Sequence, residues 1–195
     1  RLAHYPQARE MASEADRRGI LLWEEIPVYW QIQFTNPETA ADAKNQLAEL
    51  IRRDRNRCSV AMWSVANETP EKAENRTQFI GALADLARKL DPSRPVTAAI
   101  FKKDQGDHIL IDDPLAAKLD ILGVNQYGGW YKGRYDDLQR FDNPRFSDKP
   151  VIISEFGAGA KKGLRGRKRF TEEYQRTVYR HTLAAIKRNP AIQGC

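Results

Sequence analysis

Ser59-Val60-Ala61-Met62-Trp63-Ser64-Val65-Ala66-Asn67-Glu68 decides the reading of this chain. Ser59 to Val65 is a nearly unbroken apolar run, of strand rather than helix length. A strand of that kind is buried on both faces, as in a parallel sheet covered by helices. It runs straight into two polar residues, Asn67 and Glu68. β/α proteins place their chemistry at that end of a strand.

The same pairing recurs on both sides. Upstream, Ile20-Leu21-Leu22-Trp23 reads as a strand running into Glu24-Glu25-Ile26-Pro27. Downstream, Ile121-Leu122-Gly123-Val124 runs into Asn125-Gln126-Tyr127, and Val151-Ile152-Ile153-Ser154 into Glu155-Phe156-Gly157. Val96 to Ile100 is a further short strand. Amphipathic helices fill the intervals. Gln7 to Arg18 carries Ala8, Met11, Ala12 and Ala15 on one face and stops at Gly19. Thr35 or Asn36 caps a helix with Pro37 in its first turn and Ala40, Ala43, Leu47, Leu50 and Ile51 inward. Thr69-Pro70 opens a third helix with Phe79, Ile80, Leu83, Leu86, Ala87 and Leu90 apolar. A last helix spans residues 171–188, with Tyr174, Val178, Thr182, Ala185 and Ile186 on one face.

Strands alternating with helices define an α/β chain with a parallel sheet. Four strands delivering carboxylates, amides or a phenol at the same end favour a (β/α)8 TIM barrel. An open doubly wound sheet also puts ligands there, but the Gly-rich phosphate loop is lacking: Gly157-Ala158-Gly159 follows a glutamate and opens no clear helix. Strand ends or bodies at Arg1–Tyr5, 20–23, 59–65, 96–100, 121–124 and 151–154 make six, and Ile192–Cys195 opens a seventh. A complete barrel typically needs ~250 residues. The expectation is an incomplete barrel, lacking the first strand and most of the last.

Composition narrows the class. The 195 residues suit one domain. No segment approaches the ~20 apolar residues that span a bilayer, and Arg1–Pro6 has no signal-peptide pattern. Cys58 and Cys195 build no disulfide framework, and Cys58, just before a strand, reads as a small buried residue. The net charge of +6 is local, with six cations between Lys161 and Arg169. A run of that kind reads as a solvated loop, so no nucleic-acid partner is expected. No His/Asp/Glu cluster has metal spacing, and neither metal nor cofactor is expected. His108 and His181 read as loop and helix-surface residues, and Trp23 and Trp63 as core.

Glu68 and Glu155, each closing a strand, are the carboxylates that matter. Hydrolysis of a glycoside needs a proton donor for the leaving oxygen and a second carboxylate. Arg1-Leu2-Ala3-His4-Tyr5-Pro6, Met62 to Glu68, Asn125-Gln126-Tyr127-Gly128-Gly129-Trp130-Tyr131 and Ile153 to Gly157, in this order, resemble glycoside hydrolase family 2. The Asn-Glu pair with the strand-end glutamate resembles the wider clan of retaining (β/α)8 glycosidases. The segments at 1–6 and 125–131 resemble family 2 itself, and the latter its β-glucuronidase branch above its β-galactosidases.

The resemblance implies a retaining exo-β-glycosidase acting on a carbohydrate substrate. It implies Glu68 as acid/base, Glu155 as nucleophile, and Asn67 as donor to the sugar 2-hydroxyl. Arg1 and Tyr127 would support the nucleophile, and His4, Glu24, Asn125, Tyr127, Trp130 and Tyr131 would contact the substrate. It also implies β-sandwich domains before the barrel, a closing strand with a stacking Trp, and an Asn-x-Lys reader of the substrate carboxylate beyond Cys195. Self-association of the full-length protein is compatible with it. A carbohydrate-binding barrel without turnover is the other class, and the presence of both glutamates argues against it.

Overall fold

The apolar runs become strands and the amphipathic runs become helices, with shifts that matter for the site. The structure is a computed structural model that describes residues 1–131 and 133–195. It divides into two units, Arg1–Phe101 with Asp113–Leu122 and Lys102–Asp112 with Gly123–Cys195.

The first unit alternates α1 (Arg9–Arg18), β1 (Leu22–Glu25), α2 (Pro37–Asp54), β2 (Val60–Asn67), α3 (Arg76–Leu90) and β3 (Val96–Ile100). β2 is the central strand, parallel to β1 on one side and to β3 on the other. Leu2 adds a parallel bridge to Glu24, its N–H donating to the Trp23 carbonyl at 2.9 Å. The expected strand at Arg1–Tyr5 is therefore a one-residue pairing. Trp63 and Val65 of β2 are fully buried, as are Leu47 and Ile51 of α2 and Ile80 and Leu83 of α3. Each such aliphatic side chain stabilises by about 1.5–3 kcal/mol.

Gly19 ends α1 in the left-handed region (φ 64°), where glycine costs least. That ending moves the first strand. The Ile20 N–H donates to the Ala15 carbonyl of the helix, and pairing with the next strand starts at Leu22, whose N–H donates to Ser59. Ile20 and Leu21 are consequently 52% and 72% exposed, and Glu24 and Glu25 lie inside β1 rather than in the loop after it.

Asn36, not Thr35, caps α2, its Oδ1 accepting from the N–H groups of Glu38 and Thr39. α3 starts at Arg76 instead of Thr69-Pro70. The reason is a buried polar knot: Arg76 donates to both Asp113 carboxylate oxygens (2.6 and 2.8 Å) and to the Thr69 hydroxyl (2.8 Å). Thr69 is thus an anchor ahead of the helix rather than its cap. Cys58 is exposed, not buried as expected, because pairing with β1 begins only at the buried Ser59.

The second unit carries the rest of β6 (Ile121–Gln126), β8 (Val151–Phe156) and α4 (Glu172–Arg188). β6 and β8 are sheet neighbours. Beyond β8 the expected strand opening at Ile192–Cys195 appears as a parallel bridge between Ile152 and Gly194. A small second sheet was not legible in the sequence: β4 (Lys103–Gln105) and β5 (His108–Leu110) are antiparallel, and β7 (Phe141–Asp142) runs parallel to β5. His108 is therefore a strand residue, not a loop residue. His181 lies on α4, its ring 4.4 Å from that of Tyr135. α4 is capped by the Thr171 side chain and buries Val178, Thr182, Ala185 and Ile186; Tyr174 is half-buried and its hydroxyl donates to the Gly129 carbonyl.

Candidate active site

The first unit gathers its polar residues around Glu25. Arg1 donates from Nε and Nη2 to the two Glu25 oxygens at 2.9–3.1 Å. The His4 Nδ1 lies 2.6 Å from Glu25 Oε1, and the Trp23 indole N–H donates to Glu25 Oε2 at 2.9 Å. The Arg1 guanidinium also lies over the Trp23 ring, 5.1 Å from its centroid. One buried carboxylate thus fixes an arginine, a histidine and an indole. A planar arginine fork on a carboxylate is held in direction as well as distance.

Arg1 reaches one step further, donating from Nη2 to Asn67 Oδ1 at 2.8 Å. That bond sets the amide of Asn67 with its oxygen on Arg1 and its NH2 turned away. The backbone is pinned as well: Asn67 N–H donates to Val28, Trp30 N–H to Asn67, and Glu68 N–H to Ala99. Glu68 follows with φ 47°, an uncommon left-handed conformation for a non-glycine residue. Such conformations persist where surrounding bonds over-determine them, and they cluster at functional sites.

Glu24 departs from its expected role. Successive strand side chains point to opposite faces, so with Glu25 on Arg1 and His4, Glu24 turns toward α2. It is 2% exposed, and neither of its carboxyl oxygens meets a donor. Burial, reinforced by the negative Asp54 beside it and opposed by Arg53 and Arg57, pushes its pKa up to about 7. A group so placed is a buried neighbour of Asp54 on the α2 face of the strand, apart from the residues gathered at Glu25. Glu25 takes the position at the polar cluster. The sequence held the signal, since only one of two adjacent strand residues faces the site, but the strand's two-residue shift concealed which one. Trp23, read as core, belongs with the cluster through its indole N–H.

The second unit places its candidates at the ends of β6 and β8. The Tyr127 hydroxyl donates to Glu155 Oε2. The Ser154 hydroxyl donates to Asn125 Oδ1 at 2.8 Å, and Lys102 Nζ to the Asn125 carbonyl at 2.7 Å. Asn125 is buried, so Ser154 and Lys102 fix how it is presented. Gly157, directly after the strand, has φ 111°, and a Cβ there would lie 2.6 Å from the Tyr179 ring. Aromatic rings extend outward from Tyr127: Tyr131 at 5.0 Å between centroids, Trp130 at 6.3 Å from Tyr131, and Phe170 at 5.0 Å from Trp130. Tyr131 is 70% exposed, so its ring face is presented to solvent rather than packed. Among the described residues, no group of three or more His, Cys, Asp or Glu is arranged to hold a metal ion.

Residues 1–185 match the TIM barrel domain of glycosyl hydrolases family 2. A β-glucuronidase of Paenibacillus borealis is 34% identical over 203 residues, covering 90% of this chain and 32% of that protein. The solved β-glucuronidase of an uncultured Clostridium sp. aligns with a TM-score of 0.80 at 29% identity, over 99% of this chain and 36% of that one. A family 2 β-galacturonidase from Eisenbergiella tayi, solved bound to galacturonate, aligns with a TM-score of 0.81 at 25% identity, over 98% and 35% of the two chains. The chain spans about a third of the length of these relatives.

Proposed function

The chain belongs to glycosyl hydrolase family 2 and carries its TIM barrel domain, and from that premise we propose that it is the catalytic barrel of a retaining exo-β-glycosidase cleaving terminal β-D-glucuronides. The observation that supports this most is the Tyr127 phenol on Glu155. A carboxylate that accepts a phenolic hydrogen bond is held in one orientation. That is what a nucleophile attacking an anomeric carbon requires.

In this reading Glu68 protonates the glycosidic oxygen while Glu155 attacks the anomeric carbon, forming a glycosyl ester and releasing the alcohol. Glu68, now ionised, takes a proton from water, which displaces Glu155 with a second inversion and net retention. Asn67, its amide set by Arg1, donates to the sugar 2-hydroxyl. His4, tied to Glu25, and Asn125, held by Ser154, hold further hydroxyls. Trp130 and Tyr131 offer ring faces to the apolar faces of sugars. Relatives that the chain resembles are named for glucuronides and galacturonides, so an acidic terminal sugar is the reading for this chain as well.

The test uses the protein that carries this chain and a panel of 4-nitrophenyl β-glycosides, in which the glucuronide is expected to be the preferred substrate. Preference for the galacturonide or the galactoside would move the sugar assignment and leave the mechanism standing. Glu155→Ala should abolish turnover and, with added azide, give the α-glycosyl azide. Glu68→Ala with azide should give the β-azide, because a small anion needs no general base. NMR of the products decides. Reversed stereochemistry would exchange the two roles, and unimpaired turnover in both variants would refute the reading.

A further inference from the structure

Between Lys161 and Arg169 six cations stand within nine residues, and they are not equivalent. Arg165 is committed, lying 2.9 Å from Glu172 and 3.2 Å from Glu173. Lys161, Lys162, Arg167, Lys168 and Arg169 are exposed and form no ion pair among the described residues.

The loop that carries them is tied down. Lys161 N–H donates to the Phe170 carbonyl at 2.9 Å, and Glu172 N–H to that of Leu164 at 3.0 Å. The Glu172 and Glu173 carboxylates accept from the N–H groups of Gly163 and Gly166 at 2.7 and 2.8 Å. The Thr171 hydroxyl bonds the carbonyls of Gly166 and Lys168 at 2.7 Å each. A merely solvated basic loop gains by spreading its charges apart. In this one the backbone that carries them is fixed, and like charges on a fixed loop create a local positive potential able to draw in an anion.

Its far end carries an aromatic floor. Phe170, at φ 71°, is exposed and meets Trp130 edge-on, and the Arg169 guanidinium lies 5.9 Å from the Trp130 ring centroid. The aromatic row Tyr127–Tyr131–Trp130–Phe170 therefore runs from the Glu155 carboxylate out to the cations.

We infer that the 157–171 loop and this row form a subsite for an acidic sugar on the leaving-group side: the rings take the apolar sugar face, and Arg167, Lys168 and Arg169 take its carboxylate or sulfate. The inference rests on the reading of Glu155 as nucleophile. With the terminal sugar seated at Glu155, what lies further out along the row is the residue being released. The substrate class is thus an acidic oligosaccharide with a terminal β-uronide, rather than an arbitrary glycoside.

Three disaccharides test it, each with a terminal β-D-glucuronate and differing only in the released sugar: a neutral hexosamine, the same hexosamine carrying an O-sulfate, and a hexuronic acid. The readout is kcat/KM for each acidic substrate divided by that for the neutral one. In the protein that carries this chain, the Arg167→Gln/Lys168→Gln/Arg169→Gln variant should lower that ratio about tenfold, since charge-assisted hydrogen bonds are lost. The arm that falls identifies sulfate or carboxylate as the recognised group. A ratio within about threefold of the unmodified protein in both arms overturns the subsite. The unmodified protein supplies a second arm free of any folding defect. Raising salt from about 50 mM to about 500 mM should lower the ratio by a similar factor, and a ratio indifferent to salt overturns the subsite too. Hydrolysis of 4-nitrophenyl β-D-glucuronide by the unmodified protein keeps the reading of the catalytic site intact whichever way the ratio moves; its absence would bring down both.

Discussion

Glu24 and Glu25 are the same residue type one position apart on β1, and both are almost fully buried, at 2% and 1% exposure. What differs is what each meets. Glu25 receives Arg1, His4 and the Trp23 indole, so its negative charge has donors on several sides. Glu24 meets Asp54 and finds no donor, so its charged form is disfavoured. The pleat of a single strand separates a residue that holds the polar cluster from one that rests more easily neutral. Burial alone does not distinguish them; the donors do.

The largest effect expected from this contrast belongs to Glu25→Ala. It leaves the Arg1 guanidinium buried without its carboxylate and the Trp23 N–H without its acceptor. Breaking a buried pair by removing one partner costs about 3–5 kcal/mol, which a urea titration reads as a lower midpoint. A loss below about 1 kcal/mol would mean that Arg1 finds another arrangement, and the cluster would not be held as described.

Glu25→Gln is the gentler probe, keeping volume and one acceptor while removing the charge. Arg1 then loses part of its fork, and Asn67, whose amide Arg1 sets, loses its fixed direction. Misplacing a positioning group costs up to about 100-fold in rate, so kcat should fall by that order while the protein stays folded by circular dichroism. Glu24→Gln, on the other face, should leave kcat within about twofold. Equal kinetic losses in the two variants would erase the distinction between the faces.

The legible and illegible parts of the molecule divide along physical lines. Long apolar runs and full-length amphipathic helices carry strong periodic signals, so β2, β3, α2 and α4 lie close to where the pattern puts them. The strand-end polar residues Asn67, Glu68, Asn125 and Glu155 follow from the same signal. The phase of β1 did not, because Ile20 and Leu21 are apolar yet serve as the exit of α1, and a two-residue slip was enough to hide the contrast between Glu24 and Glu25. Thr69-Pro70 has the composition of a cap, yet α3 begins only at Arg76, because the Thr69 hydroxyl is spent on the Arg76–Asp113 knot. The sheet of β4, β5 and β7 rests on strands of two or three residues, too short to show a period. The basic loop was visible as charge, but its closure by Glu172, Glu173 and Thr171 is a tertiary fact that composition does not encode.

The smallest predicted effect is also the most specific to the buried face. In the folded protein the Glu24 carboxyl sits at about 7 rather than its usual 4.5, so between those values the folded state holds a proton that the unfolded chain has released. Stability from this group is therefore fully present below about 4.5 and is lost as pH rises through about 7. Glu24→Gln keeps a neutral group of the same shape that does not titrate. The variant should match the unmodified protein at pH 4.5 and exceed it at pH 8 by about 2 kcal/mol, less than the full shift would give because water screens part of the charge. Other carboxylates, such as Asp91, held down to about 2, change the stability of both proteins alike, so the difference between the two curves isolates Glu24. The measurement is paired urea denaturation at several pH values. A constant difference across that range, or a variant that is weaker at pH 8, would show that Glu24 is ionised and paired after all, and the two faces of β1 would then be electrostatically alike.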